Sequence, residues 1–474
     1  MRARTPFRLG ALSAALLAAT LAPTGLAFAE PHYSAQVIGP LCPKATDVRQ
    51  YNTPYLNFFS SLVQAQDDWL FRTRYDLRTD FGTTAAGYAQ FKQLSQALKR
   101  KGIELLVVYQ PTRGLVHPDK LIGAERASFD YELAKRNYLD TVEQLRKTGV
   151  WVTDLSPLFA EHEQRAYFFK GDNHWTPTGA NRTAALVAET LKQMPGFETI
   201  PKQEFVSKRV GLFPKEGALH KVAGQFCNTS YATEHVDRYE TEPVGESTSD
   251  DALFGEEKTT EVTVVGTSNS GPAYNFVGFL QEYSGVEMLN LAVSGGGFDS
   301  SILQYMSSKD FHDKPPKILI WEFAPHYDLA QKSFYRQAVP LADNGCDGRP
   351  AVLKNKIKLR PGSNEVLINA HPDKQQLRGG DYQVDLTFSD PSVHAAQATL
   401  WYLNGRREQY KLEQSERVDT GGRYVFELRN DPDWRDLNLL AMEIQGATDM
   451  PENLSVEATL CKRPDGNRLT AQSE

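Results

Sequence analysis

Between about residues 80 and 330 the chain alternates short, branched apolar runs with helical periods, and no other feature restricts its fold as much. Tyr88, Phe91, Leu94 and Leu98 recur at helical spacing, and Gly102 can close that helix. IELLVVY (103–109) then reads as a buried strand. Tyr138, Val142 and Leu145 continue on a second helix ending near Gly149, and VWVTDL (150–155) reads as the next strand. VTVVG (262–266), EMLNLAV (287–293) and KILIWEF (317–323) repeat the apolar pattern. Strands alternating with helices predict an α/β domain with a mostly parallel sheet covered on both faces.

After about residue 344 the pattern changes. KNKIKLRPG, EVLINA, DYQVDLTFSD, ATLWYLNGRREQYKL, GRYVFELRN and LSVEATLCK read as strands separated by Gly, Asn, Asp and Pro. Asn404-Gly405 between two such runs is a strong hairpin signal. Residues 344–474 therefore predict an all-β sandwich beside a domain over 30–343. A length of 474 residues agrees with more than one core. The polar stretch from about 197 to 260 reads as an insertion plus residues tethered by Cys227.

The first 29 residues form a unit of their own. Arg2, Arg4 and Arg8 precede the apolar run ALSAALLAATLAP, and Ala27-Phe28-Ala29 fits a cleavage site, so a signal peptide over 1–29 and export are predicted. The run is short for a membrane anchor, the alternative. Losing the three arginines takes the formal charge from -7 to -10, which argues against a generic nucleic-acid binder and leaves a local basic groove open. Four cysteines, Cys42, Cys227, Cys346 and Cys461, suit an oxidising compartment. They allow three connectivities. Cys42–Cys227 with Cys346–Cys461 is the expected one, because each pair brackets one compositional unit. No two lie within zinc-finger spacing.

Ligand sites of open α/β sheets collect at the carboxyl ends of strands. After VTVVG comes Thr267-Ser268-Asn269-Ser270-Gly271-Pro272 and then an apolar helical stretch, which places a serine at a strand-to-helix turn. Its N–H is expected at the helix's positive end, suited to an oxyanion. Ser268 is the candidate nucleophile, with Ser270 second. A serine hydroxyl needs a base. FKGDNHWTPT (169–178) supplies His174, with Asp172 to fix its tautomer, and Thr176 with Pro177 reads as the cap of a following helix. The glycine turn Ser294–Gly297 can lend further N–H donors, and Ala324–Asp328 can present polar groups at the same rim. Each motif alone has an ordinary reading: a capping acid beside a surface histidine, or a phosphate-loop-like turn. A metal at Asp172 and His174 lacks a third nearby ligand, and no metal or cofactor is expected.

GDNHWTPTGA, VVGTSNS and the glycine turn together resemble the SGNH-hydrolase-like family of alginate acetylation proteins. The resemblance runs from the signal peptide through both domains and the four cysteines. Ordinary SGNH hydrolases place the serine first and a D-x-x-H motif last. Here D-x-H precedes the serine, a permuted order that the alginate proteins share. The resemblance implies a periplasmic O-acetyltransferase that acts on mannuronate hydroxyls of alginate alongside the alginate export and acetylation machinery. It implies a triad of Ser268 as nucleophile, His174 as general base and acid, and Asp172 orienting the histidine, working through an acyl-enzyme. Tyr274 and Tyr327 match active-site aromatics, with packing beneath the site as the alternative. Arg113, in QPTRG, is a candidate for a uronate carboxylate, an ordinary surface arginine being the other reading. The C-terminal part resembles a carbohydrate-binding module, with Gln397, Thr399, Trp401 and Arg407 as its candidates. Trp401 also reads as sheet core. The family position of Gln397 can carry a lysine, which implies weaker charge attraction here. Two other functions fit the same residues: a carbohydrate esterase with this triad, and a noncatalytic polysaccharide-binding scaffold of the export complex.

Overall fold

The computed structural model describes residues 41–464, apart from 122, 124–127, 160–165, 246–259, 371–373 and 416–417. The signal peptide and its cleavage site lie outside the described residues.

A short antiparallel pair, β1 (Leu62–Gln64) and β2 (Leu70–Arg72), comes first. Helix α1 (Ala85–Arg100) follows, capped by Thr84, whose side chain accepts from the Gly87 N–H. It buries Phe91, Leu94 and Leu98 and stops at Gly102, whose φ of +82° suits a helix exit. Strand β3 (Glu104–Tyr109), helix α2 (Tyr131–Lys147) and strand β4 (Trp151–Val152) continue the alternation. Helix α3 (Pro177–Lys192) starts at the Thr176 cap with Pro177 in its first turn. Next comes a long antiparallel hairpin of β5 (Phe205–Lys215) and β6 (Glu234–Pro243), which carries helix α4 (Ala218–Cys227) between its strands. This is the order hidden in the polar segment. Strand β7 (Val262–Val265), helix α5 (Phe276–Ser284), strand β8 (Leu289–Asn290), strand β9 (Ile318–Phe323) and helix α6 (Lys332–Ala342) complete the α/β body.

The sheet runs β4-β3-β9-β7-β8, all neighbours parallel. Its three central strands are almost wholly buried, which explains their unbroken apolar runs. The two edge strands are shorter than VWVTDL and EMLNLAV predict, at two residues each. Both residues of β8 are exposed, so nothing rewards further pairing there.

The rest is a sandwich of two four-stranded antiparallel sheets. The strands are β10 (Ala351–Lys358), β11 (Gly362–Ile368), β12 (Tyr382–Phe388), β13 (Ala395–Tyr402), β14 (Arg407–Glu413), β15 (Arg423–Glu427), β16 (Leu439–Gly446) and β17 (Ser455–Lys462). One sheet runs β10-β17-β12-β15 and the other β11-β16-β13-β14. Strand β16 escapes the sequence reading, because Leu439-Leu440-Ala441-Met442 is a continuous apolar run that masks its alternation. Val366, Leu386, Leu400, Phe426, Met442 and Leu460 lie in the interior between the sheets.

Disulfides join Cys42 to Cys227, at the end of α4, and Cys346 to Cys461, in β17. Body and sandwich interlock. Arg336 of α6 donates to Glu408 at 2.6 and 3.2 Å and to the Glu427 carbonyl at 2.9 Å, while Val425 of β15 enters the body's core. No helix among the described residues is long and apolar enough to cross a membrane.

Candidate active site

Three adjacent central strands end at one rim. Past β7 the chain forms the Thr267–Ser270 turn, past β9 it runs through Ala324–Tyr327, and past β3 it runs through Gln110–Arg113. These stretches line one open cleft that contains Ser268, Asn173 and Tyr327. Asn173 belongs to the loop ahead of α3, closed by an antiparallel bridge between Phe168 and Trp175.

That loop meets the turn. Ser268 Oγ lies 2.7 Å from His174 Nε2, and His174 Nδ1 lies 2.5 Å from Asp172 Oδ1. Asp172 is 1% exposed, and its Oδ2 accepts from the Ala218 N–H at 2.8 Å. Burial alone would raise its pKa. The hydrogen bond and charge of His174, Lys215 3.5 Å away and the Ala218 N–H outweigh burial and hold the carboxyl well below the usual range. An ionised, buried carboxylate thus faces one nitrogen of the ring while the serine faces the other. This arrangement suits transfer of a hydroxyl proton to the imidazole.

Two buried groups beneath the site were not assigned these roles by the sequence reading. Arg113 is 1% exposed, neither a surface arginine nor an open ligand for a sugar carboxylate. Its Nη1 donates to the carbonyls of Phe169 and Asp172 at 2.5 and 2.6 Å, and its Nη2 to those of Leu70 and Lys170, both at 2.8 Å. These bonds correct the sequence expectation, since the fork is filled by backbone of the acid–base loop. From the other side Glu234 accepts the N–H groups of Lys170 and Gly171 at 3.0 and 3.2 Å. Gly171 and Gly217 permit the close approach of loop and α4. A Cβ on Gly217 would sit 2.0 Å from the Gly171 carbonyl oxygen, and one on Gly171 would overlap the His220 ring.

Glu322 of β9 is the second such group. It is fully buried and accepts from the Thr267 N–H at 2.9 Å, the Thr267 hydroxyl at 3.0 Å, the Ser270 hydroxyl at 2.9 Å and the Gln110 amide. Burial pushes its pKa up, but every neighbour donates to it. It therefore anchors the turn on both sides of Ser268. The lone acid inside the apolar run KILIWEF was the signal for it. Ser270, the second nucleophile candidate, is spent on this anchor. Asn269 joins turn to loop: its Oδ1 accepts from the Trp175 N–H at 3.3 Å and its carbonyl from Trp175 Nε1 at 2.9 Å.

The helix expected at Ser268 starts later. Ser268–Ser270 is a single 3₁₀ turn, and α5 begins at Phe276 after Pro272 and a left-handed Asn275. The glycine turn contributes no residue to the cleft wall. Tyr327 lines the cleft, whereas Tyr274 is 5% exposed, stacks 5.2 Å behind the His174 ring and accepts from Lys215 at 3.0 Å. Tyr274 thus packs behind the base and does not line the cleft. No cluster of three or more His, Cys, Asp or Glu among the described residues is arranged to hold a metal.

On the sandwich, Gln397, Thr399 and Trp401 share the outward face of β13, while Ala398, Leu400 and Tyr402 point inward. Arg407 lies opposite Trp401 in register, its guanidinium carbon 5.5 Å from the ring centroid. Trp401 is half-buried and donates to Glu443 at 3.0 Å, so it is not sheet core.

Residues 62–325 match the family described as SGNH hydrolase-like domain, acetyltransferase AlgX, and residues 345–473 match a C-terminal carbohydrate-binding module. The chain is 61% identical over 464 residues to the alginate biosynthesis protein AlgX of Pseudomonas aeruginosa, covering 98% of this chain and 97% of that one. A solved structure of P. aeruginosa AlgX aligns with a TM-score of 0.80 and 62% identity, covering 90% of this chain and 100% of that chain. The probable alginate O-acetylase AlgJ of Pseudomonas syringae pv. tomato is 28% identical over 330 residues, 67% of this chain and 79% of its own.

Proposed function

The chain belongs to the AlgX family of SGNH hydrolase-like acetyltransferases, and on that premise we propose that it is a periplasmic O-acetyltransferase acting on mannuronate hydroxyls of alginate. The observation that carries the reading is the hydrogen-bonded chain Ser268–His174–Asp172 at the wall of an open cleft. Ser268 Oγ attacks the carbonyl carbon of an acetyl donor while its proton passes to His174 Nε2. The donor's leaving group departs with that proton, and the acetyl group stays on Ser268 as an ester. A sugar hydroxyl then gives its proton to His174 and attacks the ester carbonyl, and as the bond to Ser268 Oγ breaks His174 returns that proton to the serine. Asp172, ionised and buried, stabilises the imidazolium in both halves.

Burial pushes the Tyr327 hydroxyl up to about 12, so it stays neutral at the cleft wall. The module's Trp401 and Arg407 hold the polymer, a ring stacking on the indole and a carboxylate on the guanidinium, with Gln397 and Thr399 beside them. The protein works within the alginate export and acetylation machinery and uses no cofactor.

An esterase would use the same residues with water in place of the sugar. The test is donor turnover with and without mannuronate oligomers. Faster turnover with acetyl retained on the oligomer is expected, and unchanged release of free acetate defeats the proposal. A noncatalytic scaffold would turn over no donor.

A further inference from the structure

The cleft also holds a guanidinium whose bonding is incomplete. Arg72, the last residue of β2, is 4% exposed and forms part of the same wall as Ser268. Its Nε and Nη2 donate to Asp76 at 3.1 and 2.7 Å. Its guanidinium carbon lies 4.5 Å from the Phe58 ring centroid and 5.3 Å from that of Tyr75. One edge of the group is committed to a carboxylate and its flat surface to aromatic rings. Nη1 meets no acceptor among the described residues. A buried donor left unmade is costly, and guanidinium has no acceptor capacity with which to adapt.

The Asp76 charge is shared. Asp76 Oδ2 lies 3.6 Å from Arg113 Nε, so one carboxylate serves two guanidinium groups. Arg113 spends its other donors on backbone carbonyls, with the charges of Glu234 and Asp172 also near it. His326, on the same wall, packs against Phe58, Tyr75 and Tyr327. Burial, with Arg72 and Arg78 nearby, holds its imidazole well below the usual range, so it stays neutral. The corner therefore holds a buried cation with a spare donor on the cleft wall that Ser268 shares.

Resting on the function proposed above, we propose that Arg72 is the specificity-determining residue that receives the carboxylate of the uronate being acetylated. Phe58 and Tyr75 hold the guanidinium flat, and Asp76 positions it. Fixing the carboxylate sets which hydroxyls of that ring face Ser268, and it disfavours neutral sugars as acceptors.

The test uses the full mature chain, 4-nitrophenyl acetate as donor, and two acceptors: a mannuronate trimer and the same trimer with its carboxylates reduced to hydroxymethyl groups. The wild type is expected to favour the charged trimer by about 10- to 100-fold in kcat/KM, the scale of one hydrogen bond to a charged group. Arg72→Gln is expected to bring that preference below about threefold, mainly through KM for the charged trimer. Arg72→Lys keeps a point charge without the fork and should fall between. Equal use of both trimers by the wild type overturns the proposal, as does an equal loss on both acceptors in the variants. Should Arg72→Gln not fold, the wild-type preference and Arg72→Lys decide. If the wild type acetylates neither trimer, the transferase reading falls, and inhibition of ester hydrolysis judges the corner alone. Stronger inhibition by the charged trimer, lost in Arg72→Lys, supports it; equal inhibition by the two overturns it.

Discussion

The cleft and the outward face of β13 both gather polar and aromatic side chains, but by opposite means. On the sandwich, Gln397, Thr399 and Trp401 come from one strand at every second residue, and the residues between them fill the interior. The face is a by-product of strand geometry. The cleft draws on six separate stretches of chain, and charged side chains hold them: buried Arg113 on loop carbonyls, half-buried Glu234 on loop N–H groups, buried Glu322 on the serine turn. A side chain on the strand face should therefore be replaceable with local consequences. Damage under the cleft should spread to every group above it.

The largest effect is expected from Ser268→Ala. Acetyl transfer should fall by roughly 10⁴- to 10⁶-fold while the folded protein still retains polymer through its module. Polymer acetylation at the wild-type rate would remove the cleft from the chemistry. Arg113→Met should come next. It strips four carbonyls of their donors and leaves the acid–base loop unsupported, at a cost of about 3–5 kcal/mol in urea unfolding together with a large loss of turnover. Full activity with unchanged stability would show that the loop holds itself.

Trp401→Ala tests the other side. It should weaken polymer retention by about 10- to 100-fold, read by affinity electrophoresis in alginate gels, with stability changed by less than about 1 kcal/mol because the residue is not core. A large fall in stability would return Trp401 to the sandwich interior.

The smallest effect concerns acid. His117, buried beneath the loop, accepts the Phe168 N–H on Nε2 at 3.2 Å, which requires a neutral ring. Burial, with Arg113 and Lys120 nearby, brings its pKa down to about 3. The unfolded chain, with an ordinary histidine value near ~6.5, then binds a proton that the folded chain refuses. Its stabilising contribution is complete above that value and is lost as pH falls toward 3, by up to about 1.4 kcal/mol per pH unit. His117→Gln should flatten urea stability between pH 6.5 and 4 by about one proton's slope; identical slopes would contradict this.

Much of the architecture was legible locally. Helix spacing and glycine exits marked α1 and α2, and Thr176-Pro177 marked the start of α3. The central strands announced themselves by unbroken apolar runs. Strand β16 did not, because a continuous run such as Leu439–Met442 carries no period to read. Within the cleft, Ser268, His174 and Asp172 stood out as residue types suited to one chemistry in loops beside regular elements. Arg113 was misread for the same local reason. A turn after a strand reads as exposed, and only the loop packed on top of it makes it interior.

A single stretch of backbone decides helix and strand periods, caps and the alternating face of the sandwich. Tertiary structure alone decided that a serine and an imidazole 94 residues apart meet at 2.7 Å. It also decided that the Arg113 fork is filled by loop carbonyls, while Arg72, buried as well, keeps Nη1 without an acceptor among the described residues. Burial and charge balance are properties of assembled surfaces, and no window along the chain contains both sides of such a contact.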